Sequence, residues 1–124
     1  MSVAKPLILL VIAISLSVTG ELLLKHGMNK VGVLSFQPDL LIPTMIRVFT
    51  TPFVLAGFAF FFGGSIFWLS VISRLPLSYA YPMLSSSYIL VVLASWLILG
   101  EAINVTRIVG VFIIMGGVAV VFRS

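Results

Sequence analysis

The chain has no cysteine among its 124 residues, a single histidine, His26, and only three acids, Glu21, Asp39 and Glu101. The first absence excludes disulfides, thiolate metal sites and cysteine nucleophiles. The second leaves no cluster of histidines and carboxylates from which a metal centre or a catalytic triad could be built. A lone loop histidine such as His26 reads as solvated. No catalytic residue, metal or cofactor is expected, and the chain does not read as an enzyme.

Charge is equally scarce. Charged residues make up 8% of the chain and hydrophobic residues 61%, whereas a soluble domain is roughly a quarter charged and half apolar. The mean hydropathy is +1.31. Seven lysines and arginines outweigh the three acids to give a net charge of +4. They are scattered at the ends of apolar runs and not gathered in a patch, which argues against nucleic acid and for the flanks of membrane spans.

What the chain does have is long apolar runs. Residues 7–24, 53–73, 77–99 and 105–122 are each about long enough to cross a bilayer, and Pro6 and Pro52 sit where a helix tolerates proline, in its first turn. The expected fold is an all-α membrane protein, with residues 1–124 as a single domain of four transmembrane helices. Lys5 followed by apolar residues also resembles a signal peptide. However, the run exceeds the ~7–15-residue core of such peptides, and a charged pair follows it directly.

Between the first two runs, Leu41, Met45 and Phe49 recur at helical spacing beside Thr44 and Arg47. This is the pattern of a short amphipathic helix lying on the membrane, or of a loop that covers helix ends. Lys5, Arg74 and Arg123 fall on the side of the amino terminus, and Lys25, Lys30, Arg47 and Arg107 on the other. Three against four is no clear excess, so either orientation, or both, is compatible with the charges.

The polar residues inside the spans carry the functional information, because a carboxylate in lipid needs a partner, a cavity or a role. Ser17, Glu21 and Lys25 are spaced by four and share one face of the first helix, with Gly20 adjacent. Glu21 sits about 6 Å along the axis from Lys25, at 1.5 Å per residue, and so lies nearer one membrane surface than the midplane. One reading is a local ion pair, with Lys25 snorkelling to the headgroups. The other is a headgroup or proton site, in which Lys25 meets an anionic oxygen. Glu101 shares that membrane side and has two candidate partners, Lys25 and Arg107.

The third run contains Leu-Pro-Leu-Ser-Tyr-Ala-Tyr-Pro-Met-Leu-Ser-Ser-Ser-Tyr over residues 75–88. Pro82 frees the carbonyl of Ser78, and Tyr81, Ser85 and Tyr88 place hydroxyls along the helix, as a cavity wall would. Serines also let helices pack closely and bond to one another, which is the plainer reading. Trp68 and Trp96 read as interface or packing aromatics. In the fourth run Gly110 and Gly117, with Gly116 beside them, form a small-residue stripe suited either to a dimer contact or to packing within the chain.

Ser17-Val18-Thr19-Gly20-Glu21-Leu22-Leu23-Leu24-Lys25 and Ala80-Tyr81-Pro82-Met83-Leu84-Ser85, set in a four-helix layout, resemble the drug/metabolite transporter superfamily in its small multidrug resistance branch. Within it the pattern is similar to the subunits of flippases for undecaprenyl-phosphate aminoarabinose. The likeness covers nearly the whole chain except the long first loop. It implies a flippase of the bacterial inner membrane whose substrate is a polyprenyl-phosphate-linked sugar or similar anionic glycolipid. The functional unit would be a homodimer, or a heterodimer with a paralogous subunit.

Carried onto this sequence, the resemblance implies that Lys25 holds the phosphate, while Glu21, Tyr81, Ser85 and Tyr88 contact the sugar or a coupling proton. An antiparallel partner would bring its Arg74 to the side of Lys25. The essential carboxylate of multidrug exporters aligns on Ser17, one turn before Glu21. A proton-coupled exporter of small cations or metabolites is therefore the alternative reading. An accessory subunit of a heteromeric transporter is a third.

Overall fold

A computed structural model describes residues 4–124; the first three residues of the expected 1–124 domain lie outside the described residues. Six helices follow one another: α1 (Ala4–Val31), α2 (Pro38–Thr50), α3 (Pro52–Ile72), α4 (Leu77–Leu84), α5 (Ser87–Leu97) and α6 (Val105–Phe122). Four of the described segments are long and apolar enough to span a bilayer: α1, α3, α4 with α5, and α6. The fold is thus an all-α, multi-pass membrane protein.

The first helix is longer than its apolar run. Lys25 and His26 mark the end of the hydrophobic stretch, but neither is a helix breaker, and the helix continues to Gly32. There φ is +101°, and the amide donates to the Met28 carbonyl at 2.8 Å. That left-handed conformation is one that glycine adopts without a Cβ penalty, as at many helix C-termini. The extension changes where Glu21 sits. In a helix of 28 residues it lies about 5 Å beyond the midpoint, at 1.5 Å per residue, and not at the end.

α1 and α3 run antiparallel and form the tightest pair in the molecule. Leu10, Ile14 and Val18 of α1 are buried with Val71 of α3 and with Ala80 and Met83 of α4. At the other end Val31 and Val54 close on Val48 of α2. The middle of the α1–α3 contact requires glycine. A Cβ on Gly20 would stand 2.7 Å from the Gly57 carbonyl oxygen, and one on Gly57 would stand 2.8 Å from the Gly20 oxygen. The two backbones therefore touch, the close approach by which membrane helices gain packing energy where lipid offers no hydrophobic drive.

The third span is broken. α4 contains Pro82, and two turn residues, Ser85 and Ser86, separate it from α5. The Ser85 amide is shared between the carbonyls of Tyr81 and Pro82, at 3.2 and 3.0 Å, and the Ser86 amide turns to Met83 at 3.1 Å. Backbone of this kind is tolerated at membrane depth where protein or a polar cavity surrounds it. α6 packs against α4 and α5, yet none of its residues is buried. Gly110, Gly116 and Gly117 have no neighbour within 4 Å of a Cβ, so the small-residue stripe does not pack inside the chain.

Candidate functional site

α1, α3 and the broken third span enclose a cleft of about 370 Å³ lined by Ser17 and Glu21 from α1, Phe61, Ser65 and Trp68 from α3, and Tyr81, Ser85, Ser87 and Tyr88 from the third span. Each helix contributes through its periodicity. Ser17 and Glu21 are one turn apart, and Phe61, Ser65 and Trp68 follow at i, i+4 and i+7, so each set lies on one helix face. The Trp68 and Tyr81 rings meet edge to face, with centroids 5.3 Å apart and planes at 87°. This geometry fixes both aromatics against the cleft and is favoured by their quadrupoles.

A second cleft, of about 320 Å³, continues toward the α1 C-terminus and is lined by Glu21, Lys25, Val91, Ser95, Leu99 and Glu101, among others. Glu21 belongs to both. The ammonium of Lys25 approaches a carboxylate oxygen of Glu101 at 4.0 Å. This is an ion pair at the outer limit, too long for a hydrogen bond. Among the described residues it is the only ion pair, so Lys25 does not pair with Glu21.

Of the two partners considered for Glu101, Lys25 is the one the fold supplies. Arg107 is turned to its own loop, where its guanidinium donates to the Ala102 carbonyl at 3.3 Å. The Arg107 amide donates to the Asn104 side chain at 2.7 Å, which caps α6.

Hydroxyls in the spans bond back to their own helix both outside the clefts and within them. Those of Ser15 and Thr19, away from the clefts, bond back to the Val11 and Ser15 carbonyls at 2.8 Å each, a local solution for a hydroxyl facing lipid. In the cleft, Ser65 bonds back to Phe61 at 3.0 Å and Ser85 reaches toward Tyr81 at 3.4 Å. The Ser17 hydroxyl lies against Gly64, where a Cβ would come within 2.6 Å of it. The third span thus presents hydroxyls and aromatic faces opposite a carboxylate, a surface that can hold a polyhydroxylated or amine-bearing group.

The structure brings together Ser17, Glu21, Tyr81, Ser85 and Tyr88 in one cleft, and Glu21, Lys25 and Glu101 in the next. Arg74 is not among them. It is exposed in the turn after α3, beyond Val71, which packs against the Leu10 end of α1. Lys25 is near the opposite end.

The profile of the EamA-like transporter family matches residues 31–123, three quarters of the chain. The chain belongs to the EamA-like transporter family. The match spans α2 to α6 and leaves out Glu21 and Lys25, so the arrangement of those two rests on this family member's own geometry.

Among curated proteins, the chain is similar to a probable 4-amino-4-deoxy-L-arabinose-phosphoundecaprenol flippase subunit of Pseudomonas fluorescens. The two are 41% identical over 56 residues, 45% of this chain and 49% of that protein. The subunits of the same name from Proteus mirabilis and Yersinia pestis are 47% and 46% identical over 55 residues, 44% of this chain and 49% and 48% of theirs. The chain thus spans about half the length of the curated relatives it matches. No solved structure matches it.

Four of the residues named in the cleft of this EamA-like protein were not singled out as site residues from sequence: Phe61, Ser65, Trp68 and Ser87. The signal was present in α3. Ser65 and Ser70 are the only polar hydroxyls of that helix, and Ser65 shares its face with Phe61 and Trp68. Trp68, read as a packing aromatic, does both jobs: it packs against the main core cluster and lines the cleft.

Proposed function

We propose that the protein is a flippase, or a flippase subunit, for a polyprenyl-phosphate-linked amino sugar or a similar glycolipid in the bacterial inner membrane, acting as a transporter and not as a catalyst. The observation that carries the reading is the position of Glu21 on the wall common to two clefts. On one side of it are the hydroxyls of Ser17, Tyr81, Ser85 and Tyr88 with the Trp68 face. On the other is Lys25. A carboxylate between a hydroxyl-lined cleft and an ammonium suits a headgroup that carries an amine, several hydroxyls and a phosphate.

In this reading Lys25 receives the phosphate as a point charge and releases Glu101 when it does so. Glu21 receives the amine, Tyr81 and Ser85 the sugar hydroxyls, and the apolar tail stays in lipid. The chain works as one four-span domain within a homodimer or a heterodimer with a paralogous subunit, and an antiparallel partner would add its own Arg74 near Lys25. The names of the relatives support the substrate class, and membership of a transporter family supports the activity.

The test is translocation in proteoliposomes. A labelled polyprenyl-phosphate aminosugar becomes accessible on the opposite leaflet with the native chain, alone or with a paralogous subunit. Lys25→Ala abolishes this. Unchanged translocation in Lys25→Ala overturns the phosphate role.

A second reading, proton-coupled export of small organic cations, is favoured by the placement of Trp68 and Tyr81 beside Glu21, since aromatic faces and a carboxylate attract cations. Proton release on adding such a cation, lost in Glu21→Gln, would select it over the first.

A further inference from the structure

α2 is fixed to the fold by one side only. Val48 is buried against Val31 and Val54, and Leu41, Thr44 and Met45, which share that side of the helix, are half-buried. Next to this packed arc lies a second apolar arc, Ile42, Ile46 and Phe49, spaced i, i+4 and i+7. They are 68%, 60% and 51% exposed, respectively. The remaining arc carries Asp39, Pro43, Arg47 and Thr50, with Leu40 as its one large apolar residue. The helix therefore has three faces, of which protein covers one.

The second arc is continuous with a surface that faces lipid. The Phe49 ring stacks on Phe58 of α3, with centroids 6.0 Å apart and planes at 14°. From Phe58 an exposed apolar stripe continues down α3 through Phe62, Ile66 and Leu69, the outer face of a bilayer-spanning helix. A single residue, Thr51, joins α2 to α3, so α2 cannot stand away from the point where α3 enters the membrane. A cation marks the same corner: the Lys30 ammonium lies 4.4 Å from the Phe53 ring centroid, and the His26 ring meets that of Phe53 edge to face at 4.5 Å.

We propose that α2 is an in-plane membrane element, bound to the headgroup–acyl boundary of the lipid monolayer. Ile42, Ile46 and Phe49 lie among the acyl chains, and Asp39, Arg47 and Thr50 face water. A hydrophobic arc beside a charged arc is what such helices use, gaining from apolar burial on one side and keeping charge hydrated on the other. This assignment fixes the bilayer along α1. Val31, which packs on α2, marks the membrane surface; Lys25 is then about 9 Å and Glu21 about 15 Å below it, at 1.5 Å per residue. In a hydrocarbon core ~30 Å thick, that puts Glu21 at the midplane.

The lack of native cysteine makes the test direct, since each single-cysteine variant carries one thiol. Spin labels are placed in turn at positions 39, 42, 44, 46, 47, 49 and 50 of the full chain in lipid vesicles, and collision rates with oxygen and with a water-soluble nickel chelate are compared. The expected result is a several-fold higher oxygen-to-nickel ratio at 42, 46 and 49 than at 39, 47 and 50, with position 44 shielded from both reagents because it faces the bundle. Nickel access equal at all exposed positions would place α2 in water and overturn the proposal. Shielding of 42, 46 and 49 from both reagents would show that protein, such as a second copy of the chain, covers the arc, and would also overturn it.

Discussion

The Lys25 ammonium and the Glu101 carboxylate face each other at 4.0 Å across the gap between α1 and the turn that precedes α6, and side-chain exposures of 55% and 41% leave both open to a third group. So loose and accessible an ion pair adds little stability of its own. Its consequence is competition, because an anion that binds Lys25 shares the ammonium with the Glu101 carboxylate and is repelled by it.

Glu101→Gln is therefore expected to bind a polyprenyl phosphate more tightly than the native protein, by a few-fold, while Lys25→Ala binds it more weakly. Loss of a charge-assisted hydrogen bond worth about 1.5–3 kcal/mol corresponds to a ~10–150-fold drop in affinity. Titration of the lipid in detergent, read by native mass spectrometry, separates the two. Equal weakening in both variants would show that the pair acts as a unit and not as competitors.

Glu21→Gln removes the negative charge and keeps the shape of the cleft. Affinity for an amine-bearing headgroup should fall roughly tenfold, the scale of one charged hydrogen bond, whereas the N-acetylated form of the same headgroup should bind the variant and the native chain alike. A parallel loss for both headgroups would remove Glu21 as the amine contact.

Tyr81→Phe and Tyr81→Ala distinguish the two parts of that side chain. The first deletes a hydroxyl and leaves the edge-to-face contact with Trp68 intact; the second also forfeits the aromatic pair, worth about 0.5–1.5 kcal/mol beyond its area. Substrate affinity should fall in both, but resistance to denaturant only in the alanine variant.

Gly57→Ala should be costly and Gly117→Ala silent in the isolated chain. At Gly57 the new methyl meets the Gly20 carbonyl and Leu24 at under 3 Å, whereas at Gly117 nothing lies within 4 Å. Overpacking of this kind costs about 1–3 kcal/mol, measurable as lost helicity on titration with sodium dodecyl sulfate. A Gly117→Ala variant that unfolds no earlier but assembles differently would show that another protein surface covers α6.

The polar pattern of the spans made much of the cleft legible. Ser17, Glu21, Tyr81, Ser85 and Tyr88 are conspicuous because hydroxyls and a carboxylate are out of place in lipid, and they do converge. The length of α1 was obscured by the drop in hydrophobicity at Lys25 and His26, which marks a change of surroundings and not the end of the helix; the stop is at Gly32. Its extension moves Glu21 toward the middle of α1, away from the surface position that the shorter run implied. The closure of Lys25 on Glu101 joins residues 76 positions apart; their shared membrane side made it one of two candidate pairings, and only the fold selects it over Arg107. Trp68 was hidden for another reason: a tryptophan in an apolar helix looks the same whether it faces lipid, core or substrate.

The contact between Gly20 and Gly57 also gives the cleft unequal walls. With backbone against backbone, α1 and α3 have no side-chain slack between them and behave as a stiff plate that carries Ser17, Glu21, Ser65 and Trp68 at fixed spacing. The opposite wall is interrupted at Ser85 and Ser86 and backed by a helix that buries none of its residues. The serine joint is thus the place where the cleft can change width, with the hydroxyls of Tyr81, Ser85 and Tyr88 shifting relative to Glu21, Ser17 and Ser65.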